Sequence, residues 1–161
     1  MMRLLRHRTE PPDPSTLAIS RVLLASEGRP FPQSAIRFAS SLRAPVRVFS
    51  VARVYGVSFA FPNPWLRPSQ NEWQEQRDNV EQAIKTLKRQ GVDADGHVMG
   101  TRKATRGIIR EAARQGCDVI VMPADAPRNR FVADLMWSQE PYRVRRRAPI
   151  PVYLVPSTDD Q

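Results

Sequence analysis

Residues 118–155 read DVIVMPADAPRNRFVADLMWSQEPYRVRRRAPIPVYLV. The stretch holds, in order, an apolar run, a polar loop, a short helical pattern, an Ala-Pro-x-Pro break and a second apolar run. Val119, Ile120, Val121 and Met122 are continuous and rich in β-branched side chains, the pattern of a strand buried on both faces of a sheet. Pro123 has no N–H for a ladder, so the run is expected to stop there. In open α/β sheets the loop after such a strand lies at the carboxyl edge, where ligands bind. Whether this loop still holds one decides most of the functional reading.

Upstream, the same alternation repeats. Residues 21–25 (RVLLA) form a short buried strand that ends in the turn residues Ser26, Glu27, Gly28, Arg29 and Pro30. Ala35, Phe38, Ala39 and Leu42 share one face of a helix, and residues 46–51 form a second strand entered through Pro45. Strand, helix and strand within about thirty residues make a βαβ unit with a right-handed crossover. The prolines of loop 55–68 forbid regular structure there. Its Phe59, Phe61 and Trp65 either pack onto the domain, the preferred reading, or offer a patch to a protein partner.

Ser69 and Glu72 make a capping box. The helix after them carries Trp73, Val80, Ala83, Ile84 and Leu87 on one stripe and stops at Gly91. Residues 95–99 read as a weak strand, and its His97 as a strand residue without a chemical role, since no acid or second ligand stands at useful spacing. A helix over 104–115 turns Ile108, Ile109, Ala112 and Ala113 inward and ends at Gly116. Ser138 is the expected cap of a last helix, with Glu140 and Pro141 in its first turn and the cationic residues 143–147 in its last. Pro149 and Pro151 break that helix before the strand 152–155. The order β-α-β-α-β-α-β-α-β predicts an α/β fold: a single doubly wound, five-stranded parallel sheet with helices on both faces. Residues 1–19, with Pro11, Pro12 and Pro14, read as an irregular basic arm, 20–156 as the domain and 157–161 as a loose tail.

Composition narrows the function. A chain of 161 residues is one domain that can bury a core without staples. Its single cysteine, Cys117, excludes an internal disulfide framework and the usual cysteine-based zinc sites, and reads as a buried small apolar residue. No metal is expected. The absence of an apolar run of about 18 residues, and of a secretory pattern at the N-terminus, points to a cytoplasmic protein. The net charge of +9 collects in Arg3, Arg6, Arg8 and residues 143–147. Such clusters attract polyanions, but no helix-turn-helix, zinc finger or aromatic-interleaved basic strand accompanies them, so solvated helix faces are preferred over nucleic-acid binding.

From about Arg21 to Pro156 the chain resembles the universal stress protein family, whose fold is of the adenine nucleotide alpha hydrolase-like kind. The resemblance rests on the element order, on the long loop before the second helix, on Gly116-Cys117-Asp118-Val119-Ile120-Val121-Met122, and above all on Arg147-Ala148-Pro149-Ile150-Pro151-Val152-Tyr153-Leu154-Val155. It implies a homodimer paired through the last strand, Val152, Tyr153, Leu154 and Val155. It also implies a pocket built from Glu27, the acid that meets adenine, and Gly28, together with Met122 and the loop after it. Nucleotide-binding members carry in that loop glycine, two residues, glycine, nine residues, glycine and then Ser or Thr. Here Pro123 and Ala126 stand at the first two glycines, and neither Met136-Trp137 nor Ser138-Gln139 supplies the third. Asp125 replaces a residue that is usually basic, and Arg128 and Arg130 stand close enough to compensate.

The expectation is therefore a non-catalytic regulatory or interaction module, dimeric, with ATP binding lost or weakened and no cofactor. The alternatives are an adenine-nucleotide-binding protein (ATP or AMP) that uses Glu27 with Arg128 or Arg130, and a polyanion binder. No nucleophile–base pair or intact phosphate loop supports an enzyme. Glu27 and Asp125 both belong to the carboxyl edge, but a two-carboxylate hydrolytic site would also need a pocket and a raised pKa.

Overall fold

A computed structural model describes residues 10–53, 70–125 and 139–157. The expected elements are β1 (Val22–Ser26), α1 (Gln33–Ser41), β2 (Val46–Arg53), α2 (Gln70–Arg89), β3 (Ala94–Thr101), α3 (Ala104–Gln115), β4 (Val119–Ala124), α4 (Glu140–Arg147) and β5 (Val152–Pro156). Among the described residues the five strands form one sheet in the order β3-β2-β1-β4-β5, and every pairing is parallel. Val22 stands opposite Val46 on one side and Val119 on the other, which sets β1 at the centre.

Strand alternation divides the core into two layers. Val22, Leu24, Val46, Val48, Val119 and Val121 face α1 and α2. Leu23, Ala25, Phe49, Val51, Ile120 and Met122 face α3 and α4. Central strands covered on both faces must be apolar at every position, and β1 is buried along its whole length.

Pro123 does not end β4, which runs on to Ala124. The Ile120 N–H donates to the Pro151 carbonyl at 3.0 Å, so odd-numbered residues of β4 direct their main chain toward β1. Pro123 therefore removes a donor on that side only. The β1 ladder stops at Leu24↔Val121, while the β5 ladder continues through Pro123↔Val155 to Ala124↔Pro156. The proline thus stands beyond the end of the β1 ladder without cutting the strand.

Two helices bury polar residues where apolar ones were expected. On α2 the inward stripe is Gln76, Val80, Ala83 and Leu87, with Trp73 and Ile84 only half-buried. On α3 it is Ala104, Thr105, Ile108, Glu111 and Ala112, and Ala113 is exposed. Helix α4 takes Gln139 rather than Ser138 as N-cap, with no side-chain cap bond. Its Glu140 instead accepts a hydrogen bond from the Thr105 hydroxyl, tying α4 to α3. Ser69 and loop 55–68 lie outside the described residues.

The described end of the N-terminal arm packs onto the domain. Asp13 caps a 3-10 turn at Pro14–Thr16, Leu17 and Ile19 lie against the α1/α2 core layer, and the Tyr153 hydroxyl donates to the Pro12 carbonyl at 2.5 Å. Asp118 accepts from the Ser20 hydroxyl and main-chain N–H at 2.7 and 2.6 Å, bonds that hold its carboxyl below the usual range.

Candidate functional site

The chain leaves β1 toward β2 and β3 on one side and reaches β4 and β5 on the other. The strand order thus reverses between β1 and β4, the point where open α/β sheets form a ligand crevice. The β1/β4 ladder ends at that point, at Leu24↔Val121.

The turn after β1 is built by Ser26. Its Oγ accepts from the N–H groups of Gly28 and Arg29 at 3.2 and 2.9 Å and donates to the Arg29 carbonyl at 2.5 Å. Gly28, at φ 121°, takes the backbone conformation that a side chain would strain. From α2, Gln76 donates to the Gly28 carbonyl at 2.9 Å and accepts from the Ser50 hydroxyl at 2.6 Å. Ser26, Ser50 and Gln76 are all buried, so these bonds hold the turn against both β2 and α2.

This rigid turn carries Glu27 and Arg29. Glu27 is wholly buried, and the Arg29 Nε pairs with its carboxylate. The same guanidinium reaches across to the residue that follows β4, where Nη1 lies 2.9 Å from the Asp125 carboxylate. Asp125 differs from Glu27 in exposure: 49% of its side chain is open to solvent, against 0%. Its main-chain carbonyl accepts from the Tyr142 hydroxyl of α4 at 3.2 Å. Two carboxylates do meet at the carboxyl edge, but with a guanidinium between them.

Of the residues expected to form the pocket, the structure thus brings Glu27, Gly28 and Asp125 together. Met122 lies in the α3/α4 core layer, and Pro123 serves the sheet as described. Ala126, Arg128, Arg130 and Ser138 lie outside the described residues. Arg29 was read only as a turn residue. The signal available was a basic residue two positions after an acid, in the turn that follows a fully apolar strand.

A second polar cluster spans β3 and α3. Glu111, 2% exposed, accepts from Arg114 at 2.8 and 3.0 Å and from Gln115 at 3.0 Å, and its carboxylate lies 3.3 Å from His97 Nε2. His97 does have an acid beside it, brought from another element, and its ring meets Phe49 edge-on. Burial pushes the Glu111 carboxyl up, but the hydrogen bonds from Arg114 and Gln115 and the charges of His97 and Arg114 outweigh it, so the group sits below the ordinary carboxylate range. Its stabilising contribution is then complete above the unfolded-state value near pH 4.3 and is lost as pH falls through the lower folded-state value. Glu111→Gln is expected to flatten this acid limb: melting temperatures followed from pH 6 to pH 3 should fall more steeply for the parent than for the variant.

Cys117 is buried, and its thiol is pushed up to about 11 by desolvation, so it stays neutral at pH 7. Among the described residues no group of three or more His, Cys, Asp or Glu side chains is arranged to hold a metal, and no helix is long and apolar enough to cross a membrane. A surface cavity of about 280 Å³ lies between α1 and α2, lined in part by Phe31, Ile36, Lys85 and Arg89. None of its lining residues is a buried polar side chain, unlike the crevice.

The sequence model of the universal stress protein family matches residues 19–156. The chain belongs to that family. Solved universal stress proteins share its fold. One from Archaeoglobus fulgidus is 15% identical, with a TM-score of 0.62 over 88% of this chain and 96% of its own. A structure of a universal stress protein from Archaeoglobus fulgidus in complex with dAMP is 15% identical with a TM-score of 0.61, over 84% and 97%. A universal stress protein in complex with cAMP is 14% identical with a TM-score of 0.60, over 88% and 100%. No curated protein matches the chain in sequence.

Proposed function

We propose that this universal stress protein is a non-catalytic regulatory or interaction module, a cytoplasmic homodimer whose crevice binds ATP weakly or not at all. The observation that carries the reading is the Arg29 link from Glu27 to Asp125, which spans the β1/β4 crevice. A nucleotide entering there would have to break that link. It would also place its phosphates beside the Asp125 carboxylate and beside Pro123, which offers no N–H. Heat release of small molecules from freshly purified protein, followed by mass spectrometry, tests this: no stoichiometric nucleotide is expected, and ATP, ADP or AMP at one per chain would overturn the reading.

A second reading, adenine-nucleotide binding through a divergent loop, is favoured by the relatives solved with dAMP and cAMP. In that reading Glu27 meets the base, and Arg128 or Arg130, joined by Ser138, meets the phosphates where Ala126 replaces glycine. A protein partner through loop 55–68 belongs to the first reading.

The dimer reading rests on β5. Among the described residues β5 is an edge strand that turns Pro151 and Tyr153 main chain toward β4, so the N–H and C=O of Val152 and Leu154 point to its other side. Leu154→Pro deletes an outward donor and leaves the ladder to β4 intact. The variant is expected to sediment as a monomer at protein concentrations where the parent is a dimer, with a melting temperature only a few degrees lower.

A further inference from the structure

We infer that the outer face of α3 and α4 is a docking surface for an acidic amphipathic helix of a protein partner. The inference rests on the reading of the chain as an interaction module, and adds the face and the chemistry of what it takes.

Charge is unevenly placed on the two sides of the sheet. Helices α3 and α4, with the two residues that lead into α3, carry nine Lys and Arg residues against Glu111 and Glu140. Helices α1 and α2 carry five against four acids. Neither acid on the α3/α4 side faces outward to offset the surplus. Glu111 is 2% exposed and bonded to Arg114 and Gln115, and Glu140 takes the Thr105 hydroxyl and Arg143. Among the described residues no acid pairs with Arg102, Lys103, Arg106, Arg110, Arg146 or Arg147, and all six are exposed.

Helix α3 does not need these charges for its own stability. Arg106, Arg110 and Arg114 stand at four-residue spacing, with Arg102 one step ahead of them, and like charges so spaced repel along a helix. Arg102, Lys103 and Arg106 also lie at the N-terminal end, where the helix dipole favours acids, and the first turn holds none. In α4 the arginines fill the last turn, where the dipole favours them. The α3 stripe thus works against its own helix, and an anionic partner laid along it would relieve the repulsion.

The face is also partly apolar. Half-buried Ile109 and exposed Ala113 neighbour Arg106 and Arg110 on the helix surface. A phosphate backbone has nothing apolar to set against them. An amphipathic helix can present carboxylates and apolar side chains together, and its carboxylates match the guanidinium forks. The bond from Thr105 to Glu140 holds α3 and α4 side by side, so the surface is already formed. With 12 residues α3 is roughly 18 Å long, which a partner helix covers in about three turns.

Fluorescence anisotropy of a labelled synthetic peptide, with Glu at every fourth position and Leu beside each Glu, tests the docking on the full chain. The parent is expected to bind it, more weakly as salt is raised. Arg106→Glu/Arg110→Glu should weaken binding by roughly tenfold or more. Lys85→Glu/Lys88→Glu, the same charge change on α2, should bind as the parent does. The Arg106→Glu/Arg110→Glu protein should melt at or above the parent's temperature; a lower value would mean that the arginines serve the fold, and would overturn the inference. Equal losses from the two double variants would do the same, since they mark a response to net charge alone. Absence of peptide binding by the parent, or equal affinity for a scrambled peptide of the same composition, also contradicts it. Duplex DNA or phosphatidylserine vesicles bound more tightly than the peptide at equal salt would overturn the choice of a protein partner. Tight ATP binding by the parent would instead overturn the functional reading beneath, so the two failures are distinguishable.

Discussion

Arg29→Ala is expected to cost about 3–5 kcal/mol of unfolding free energy, the range found when one partner of a buried ion pair is removed. For a chain of this size that corresponds to a fall in melting temperature of roughly 10 °C. The large effect follows from Glu27, not from Arg29. The Glu27 carboxylate has no exposed surface and the Arg29 guanidinium lies against it, and removing a charged partner from a buried carboxylate costs more than removing one from an exposed carboxylate. Glu27→Gln in the Arg29→Ala background replaces the carboxylate with a neutral amide of nearly the same shape, and should recover most of the loss. Asp125→Ala, which removes the exposed partner, should cost less than about 1 kcal/mol. Urea melts of the four proteins would show the asymmetry. Equal losses from Arg29→Ala and Asp125→Ala would contradict it.

Gly96→Ala is expected to be nearly as damaging, for a steric reason. Gly96 lies opposite Val48 in the β2/β3 ladder, and a Cβ there would sit 2.1 Å from the Val48 carbonyl oxygen and 2.9 Å from its carbonyl carbon and Cβ. The oxygen and the carbonyl carbon are backbone atoms of a strand already paired with β1, so the clash cannot be relieved by a rotamer change. Overpacking of this severity costs about 3 kcal/mol, near the upper end of what inserted carbon atoms usually cost. Gly107→Ala is a control on a neighbouring helix: among the described residues its Cβ would meet the Thr101 methyl at 3.4 Å, an ordinary contact distance, and alanine favours helix by roughly 1 kcal/mol over glycine. Thermal melts should therefore separate the two substitutions in sign.

The same glycine explains why β3 looked weak in the sequence. Ala94–Thr101 contains Asp95, Gly96 and Gly100 and few β-branched residues, yet it is a full strand because it follows β2 residue by residue at the sheet edge. The apolar strands β1 and β4 were plain because burial on both faces writes itself into consecutive residues. Pro123 was half legible: it does end a ladder, but a strand has two neighbours, and only one of them needed its N–H.

Arg29, Gln76 and Glu111 escaped for a common reason. Hydrophobic periodicity finds apolar side chains facing inward. It does not find polar ones whose partners are remote in sequence. Gln76 meets Ser50 at a separation of 26 residues and Gly28 at 48, and Arg29 meets Asp125 at 96. Glu111 lies on the buried stripe of α3 with Ile108 and Ala112, a face that the sequence reading gave to apolar residues alone. The carboxyl-edge assignment of Glu27 and Asp125 was legible from strand order. The guanidinium that joins them was not.

The most direct test of the account is a calorimetric titration of the parent protein with ATP and magnesium at physiological salt. The Arg29 link, Pro123 and Asp125 together predict no saturable binding below about 1 mM, a binding free energy weaker than about 4 kcal/mol. A saturable isotherm of micromolar affinity would mean that the crevice opens to nucleotide despite the link, and would contradict it.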